Sequence, residues 1–440
     1  MDRRRFMKSS GGAMAALTAA QYSRVKGANE RVNVACVGVR GRGRSHLRYF
    51  GTHPESQIAQ VVDIDQAVSE QAAQLTLKYQ SEKPKEEKDL RVMLEDKSID
   101  VVSIATPNHW HSLATIWACQ AGKDVYCEKP ASHNIFEGRK MVEAARKYNR
   151  IVQIGHQGRS TEHKIQAVKL LREGVIGEVY MARGLCFKRR KSIGHADVSA
   201  IPSGVDYEMW LGPAEERSFK ENRFHYNWHW YWDFGNGDIG NQGVHEMDIA
   251  RWGLGKTEMP RFAYSSGGHF TYDDDQQTPS TQQAIFDYGD SQLVFEVRGL
   301  MSGGEADMQP ELPGNVNTVG NMFLGSKGYM TVGGSSFHTY LGEEHEPGPS
   351  GTTENVESLS NEPHVDNFLA AVKSRNHRDL TCDVLEGHLS AALCHLANTS
   401  YRVERRVEFD PRTETFVGDS EADKYLSRRY RPGFEVPEKV

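Results

Sequence analysis

The sequence predicts an α/β protein: an N-terminal Rossmann dinucleotide-binding domain, then a C-terminal α+β domain with a large, mostly antiparallel open sheet. Three observations carry the prediction. Apolar, β-rich runs at 32–37, 58–62, 99–105, 124–127 and 151–154 alternate with segments of helical length, as in parallel strands joined by helices. The first run breaks into a Gly-rich turn, Gly38-Val39-Arg40-Gly41-Arg42-Gly43, and the chain resumes as a polar, helix-compatible segment. After residue 155 the period shifts to strand-like runs at 178–187, 260–270, 281–288, 291–299 and 321–332, interrupted by helical patterns near 161–173 and 242–253. A chain of 440 residues has room for both domains, placed at 31–155 and 156–440. A helical region over 365–400 precedes a polar tail. The mixed-charge stretch 82–88 and the Gly-, Pro- and acid-rich stretch 342–363 read as surface loops.

Each part of the first crossover has a physical task. A buried strand ending in a tight turn aims the first N–H groups of the next helix at a pyrophosphate. In G-x-G-x-x-G register Gly38 and Gly43 are the first and third glycines, and Arg40 stands where the second belongs. Gly41 is placed to restore the close backbone approach, and Arg40 and Arg42 to touch phosphate. Val61-Val62-Asp63 ends a second strand about 20 residues after the last glycine, where a carboxylate accepts hydrogen bonds from the adenosine ribose diol. Asp63 therefore favours NAD, and the arginines keep NADP as the alternative. Ligands of such sheets lie beyond the carboxyl ends of the strands. That singles out Thr106, Pro107 and Asn108 with His111, and Glu128-Lys129-Pro130.

Hydrophobic residues at 38% and charged residues at 25% describe a soluble chain, and a net charge of −6 gives no global pull toward nucleic acid or anionic lipid. The six cysteines are scattered, without zinc or disulfide spacing. The histidine pairs 109/111 and 225/229 lack a completing carboxylate or cysteine, so no metal is expected. Arg3-Arg4-Arg5-Phe6-Met7-Lys8, followed by a mildly apolar stretch over 11–20, resembles a twin-arginine export signal occupying 1–30. It is too short and too mild for a membrane span. The expected location is periplasmic, with no membrane attachment after export. That route carries folded proteins, so a nicotinamide cofactor would travel tightly bound and be regenerated in place.

Together these pieces resemble the glucose–fructose oxidoreductase / inositol dehydrogenase / rhizopine-catabolism family (Gfo/Idh/MocA). The resemblance rests on the Gly-rich turn, Ala105-Thr106-Pro107-Asn108 with His111, Glu128-Lys129-Pro130, and the run from Gly237 through Gly243-Val244-His245 to Asp248. Trp210-Leu211-Gly212-Pro213, Gly325-Ser326-Lys327-Gly328 and the helix from Val365 add to it. The resemblance implies NAD(P)-dependent chemistry on sugars or polyols, and a homo-oligomer, dimer or tetramer, packed through the C-terminal sheet. It also implies that Lys129 lies between the nicotinamide and the substrate hydroxyl and that His245 is the catalytic histidine. Four residues earlier the better-known members carry aspartate; this chain has Asn241.

Oxidising a secondary alcohol requires a hydride to leave carbon while a base takes the hydroxyl proton. A lysine is almost wholly protonated at neutral pH unless burial and a positive ring lower its pKa. Histidine starts near neutrality and needs little tuning. Lys129 is expected to polarise or deprotonate the hydroxyl, with His245 as the second proton-transfer group. Asn241, at i to its i+4, either orients the imidazole or caps the helix. Glu128 reads as a contact to the nicotinamide ribose or as an ion-pair partner, and Pro130 as a cis proline. The aromatic run 224–234 offers Trp228, Trp230 and Trp232 as stacking platforms for sugar C–H faces, with Asp233, Asp248 and His156 as hydrogen-bonding partners; a structural aromatic cluster is the other reading. The expected function is NAD(P)-dependent oxidation or reduction of a small-molecule carbohydrate. One alternative is a redox-neutral NAD-dependent glycosidase or lyase that oxidises its sugar transiently; the other is a carbohydrate-binding protein without turnover.

Overall fold

In the computed structural model, residues 31–308, 317–353 and 362–440 are described; the twin-arginine stretch lies outside them. Strand β1 (Val32–Val37) is valine-rich and buried on both faces, which requires helices on both sides of its sheet. Helix α1 (Gly41–Thr52) returns the chain to β2 (Ser56–Val62), parallel to β1. Then follow α2 (Gln66–Thr76), β3 (Lys85–Glu87), α3 (Leu90–Glu95), β4 (Val101–Ile104), α4 (Asn108–Gln120), β5 (Asp124–Cys127), α5 (Ile135–Lys147) and β6 (Val152–Ile154). The sheet is parallel with order β3-β2-β1-β4-β5-β6. The order reverses between β1 and β4, which opens a crevice at the strands' carboxyl ends. Side chains of Asp65, Asp89 and Asn134 cap α2, α3 and α5, each contributing about 1 kcal/mol. Helix α1 has no side-chain cap and no acid in its first turn. Within the stretch 82–88, expected as loop, β3 pairs with β2; its charges are tolerated because it lies at the sheet edge.

The second domain begins with α6 (Glu162–Arg172) and β7 (Val179–Phe187), followed by α7 (Tyr207–Leu211), α8 (Gly237–Asn241) and α9 (Gly243–Gly253). Strands β8 (Phe262–Gly268), β9 (Thr281–Asp287), β10 (Gln292–Arg298), β11 (Thr318–Gly325), β12 (Gly328–Val332), β13 (Ser336–Leu341) and β14 (Glu346–Thr352) come next. Helices α10 (Glu362–Ser374) and α11 (Val384–Val403) and the short strands β15 (Val407–Asp410) and β16 (Thr415–Phe416) complete the chain. The ten strands run β14-β13-β12-β11-β7-β10-β9-β8-β15-β16. In this sheet, among the described residues, only the β7–β10 pair is parallel. Val244 and Met247 of α9 and Leu393 and Leu396 of α11 share one core with Phe295 and Phe323 of the sheet. That packing fixes α9 against the sheet, and α9 carries His245.

Three expectations change. The run 321–332 is a hairpin, β11–β12, rather than one strand. The loop expected over 342–363 contains β14, which tolerates Pro347, Gly348 and Pro349 because it is an edge strand. The region 365–400 is two helices; α10 packs Phe368 against Phe50 and Tyr126 of the first domain. The polar tail straps back over that domain, with Phe434 edge-on to Trp110 at 5.7 Å. No helix among the described residues is long and apolar enough to cross a membrane.

Candidate active site

The β1–α1 turn shows why its glycines are where they are. Gly38 has φ +78°, and a Cβ there would lie 2.8 Å from the backbone of Ala105 and Thr106. A Cβ on Gly43 would lie 2.0 Å from the Gly38 carbonyl oxygen, so the helix could not pack on the strand. A Cβ on Gly41 would meet nothing within 4 Å. Open space therefore faces the uncapped start of α1, flanked by Arg40 and Arg42, and suits an anionic pyrophosphate. Val39, expected among the cofactor contacts, is wholly buried in the core, and Gly43 shapes the turn without lining the crevice. The turn after β1 packs Val39 into the core with Leu47 and Phe50, and close helix packing hides Gly43.

The crevice holds a cavity of about 340 Å³, in the range of small-molecule sites. Gly38, Arg40, Gly41, Arg42, Asp63, Thr106, Pro107, Asn108, His111, Glu128, Lys129 and Asn241 line it. The Asp63 carboxylate accepts from the N–H groups of Val39 at 2.9 Å and Asp65 at 3.1 Å. Burial nevertheless lifts it to about 6. The Thr106 hydroxyl is buried without a partner, a polar group left for a ligand. His111 faces the carbonyls of Pro130 at 2.7 Å and Thr106 at 2.9 Å, clasping the two strand-end loops together.

Glu128 lies on the crevice wall, yet its carboxylate is already taken, by Arg42 at 2.7 Å, His46 at 3.1 Å and Gln157 at 3.0 Å. Burial pushes its pKa up, and Arg42 and His46 outweigh that and hold it well below the carboxylate range. Of its two sequence readings, the ion pair is the one present. The Lys129–Pro130 bond is cis. The Lys129 ammonium enters the cavity and donates to the Asn241 carbonyl at 2.6 Å. Burial lowers its pKa to about 8, with Glu128 opposing and Arg42 adding to the shift.

His245 stands close enough that, after burial, the Lys129 charge is the next cause holding its pKa well below the usual histidine value. Its ring meets that of His156 edge-on at 5.7 Å. Gln242, not Asn241, occupies the N-cap position of α9, without a capping side chain. The Asn241 amide donates to the Tyr226 hydroxyl at 3.4 Å rather than to the imidazole. The backbone carbonyl of Asn241 is thus the group that meets Lys129, and neither expected role of its side chain is present.

The expected substrate residues divide. Trp228 lines the cavity, stacked on His229 at 3.6 Å. Trp230 is buried beneath Arg190 and does not reach the cavity. Trp232 and Asp233 line a second, separate cavity. Asp248 faces α11 instead: it pairs with Arg159 at 2.8 Å, and Ser390 donates to it at 2.6 Å. His156 is buried beside it, 3.7 Å from its carboxylate, with both ring nitrogens unpartnered. The reason is geometric: neighbours in a tight helical turn point to different sides, so a run of aromatics cannot face one ligand. Sequence reasoning passed over Arg42 as a partner of Glu128, and over Gln157, Tyr226 and His229. Tyr226 was marked only by its place in the aromatic run, and His229 by that and by its spacing from His225, weighed there for a metal. Among the described residues no group of three His, Cys, Asp or Glu could hold a metal ion.

Comparison with known proteins bears on the fold and the family. Residues 32–156 match the Gfo/Idh/MocA oxidoreductase family's NAD-binding Rossmann fold, and 166–286 with 349–436 match the family's C-terminal α/β domain. Levoglucosan dehydrogenase of Pseudarthrobacter phenanthrenivorans is 28% identical over 255 residues, 54% of this chain and 57% of that protein. Alpha-N-acetylgalactosaminidase of Shewanella oneidensis is 25% identical over 154 residues, 34% of each chain. The chain thus spans just over half of one curated relative and a third of the other. A solved levoglucosan dehydrogenase in complex with NADH and levoglucosan has the same fold, with a TM-score of 0.65 at 17% identity over 86% of this chain and 99% of that one. With both domain models matched in order, the chain belongs to the Gfo/Idh/MocA oxidoreductase family.

Proposed function

We propose that the protein transfers hydride between a tightly held NAD(H) and a carbon of a sugar, polyol or sugar derivative. The observation that carries this reading is the Lys129 amine: it ends a Rossmann strand, enters the cavity, and has a pKa lowered to about 8. When bound, the nicotinamide supplies the hydride acceptor. The start of α1 with Arg40 and Arg42 would hold the pyrophosphate, and the Asp63 carboxylate would accept from the ribose diol. Lys129 Nζ takes the substrate hydroxyl proton while the Asn241 carbonyl fixes its position, and His245 passes the proton onward. The buried aromatic wall from Trp210 to Trp228 excludes water. Export by the twin-arginine route to the periplasm rests on the N-terminal motif, and a homo-oligomer built through the C-terminal sheet rests on the family resemblance.

The test is to denature purified protein, identify the released small molecule by absorbance and mass, and screen sugars for turnover in wild type and Lys129→Ala. Released NAD(H), with sugar-dependent reduction lost in the variant, supports the reading; a protein that carries no nucleotide and binds none overturns it. The similarity to an α-N-acetylgalactosaminidase favours a second reading at the same site, redox-neutral cleavage through transient oxidation. Release of nitrophenol from a nitrophenyl glycoside without net NADH separates it from the first.

A further inference from the structure

Trp232 and Asp233 lie in a cavity of about 260 Å³ on the far side of Asn236 from the cofactor crevice. Asn236 forms the partition: it accepts from Asn108 of the crevice at 3.2 Å and donates to the His133 carbonyl at 3.1 Å. The charge of this second cavity is unbalanced. Arg402, Lys424, Arg428 and Arg429 line it against two carboxylates, Asp233 and Glu215. Both carboxylates are engaged by Arg217, at 2.7 Å and 3.2 Å. Among the described residues, none of the four lining cations has a carboxylate in ion-pair contact.

The cations are held in place by other means. The Arg402 guanidinium is 5.0 Å from the Trp232 ring centre and 4.2 Å from that of Tyr425. Burial disfavours its charge; Tyr425 and Asp233 offset that only in part, and an anion would relieve the rest. Arg428 donates to the Asp233 carbonyl at 3.0 Å and to His133 Nδ1 at 3.0 Å. Arg428 thereby engages one ring nitrogen of His133, and the ring also faces the backbone of Trp232. Fixed guanidinium forks and an indole beside amide and hydroxyl groups form a set that recognises an oxyanion attached to a polar ring. The space exceeds what an inorganic oxyanion fills.

We propose that this cavity is a second ligand site, taking a sugar that bears a carboxylate or a phosphoryl group. The proposal does not depend on the redox chemistry of the first cavity. The test is calorimetric titration of the purified protein with glucuronate, glucose 6-phosphate, glucose and inorganic phosphate. Wild type binds one or both acidic sugars at least about tenfold more tightly than glucose or phosphate, and added salt weakens the binding. Arg402→Gln, and separately the exposed pair Lys424→Gln with Arg429→Gln, each weaken it about tenfold. Lys129→Ala leaves it unchanged. Glucose or phosphate binding as tightly as the acidic sugars overturns the proposal. So does an affinity that neither charge variant moves, one lost in Lys129→Ala, or no binding by either acidic sugar.

Discussion

Lys129 carries the sharpest prediction, because its environment sets a number. With an ordinary lysine pKa near 10.4, roughly 0.04% of the amine would be neutral at pH 7. At about 8, roughly 10% is neutral, a gain of about 200-fold in available base. The direction follows from the sign of the shift: a lowered pKa means that the neutral amine accumulates as pH rises toward about 8. The kcat/KM for sugar oxidation should therefore climb about tenfold per pH unit below that value and level above it. The reverse reduction needs the ammonium and declines over the same interval. A positively charged ring nearby moves the limb to lower pH, never higher. The measurement is initial-rate NADH absorbance from pH 5.5 to 9.5, using the sugar that turns over fastest. Lys129→Met keeps the apolar stem and should lose about 10²–10⁴ in kcat while retaining NAD. Lys129→Arg keeps the charge but cannot act as base, and should be equally slow. A Met or Arg variant within threefold of wild type, or a rate flat across that range, refutes the assignment.

Three further outcomes follow from the crevice. Gly41→Ala, whose methyl meets no protein atom, should change stability by less than about 0.5 kcal/mol in urea unfolding yet weaken NAD; Gly38→Ala, clashing with backbone at positive φ, should cost more than about 2 kcal/mol. Arg42→Met leaves buried Glu128 with His46, Gln157 and the Lys129 backbone N–H but without its guanidinium, and should destabilise by about 1–3 kcal/mol. Glu128 is depressed in the folded state, so its contribution is present above the unfolded carboxyl value of about 4.3 and lost as pH falls below it; the variant should lose that protection in acid melts. Asp63 titrates in the opposite sense, raised to about 6, so NAD affinity should fall as pH drops through that value, and Asp63→Asn should abolish the pH dependence in a fluorescence titration.

The fold was legible where local chemistry is strict. Gly38 and Gly43 announce a turn because no other residue fits against Ala105 or the Gly38 carbonyl. Valine-rich runs announce strands buried on both faces. Pro347 and Pro349 hid β14, since prolines break every strand except one at an edge, and edge position is a property of the sheet rather than of the segment. The cavity wall was legible at Lys129, which a short strand delivers to a fixed end of the sheet. At Glu128 the place on the wall and the ion-pair alternative were legible, but not the partner, because Arg42 is 86 residues away.

From residues alone come the two-domain order, the nucleotide turn, and the amine at a strand's carboxyl end, because each follows from backbone geometry within a few residues. Packing decided the rest. It turned Asp248 toward Arg159 and sent Trp232 and Asp233 into a different cavity. It also brought the Asn241 carbonyl, not its amide, to Lys129. Side-chain direction after a tight helical turn depends on which neighbour fills the space, and those neighbours come from strands and helices far away in the chain.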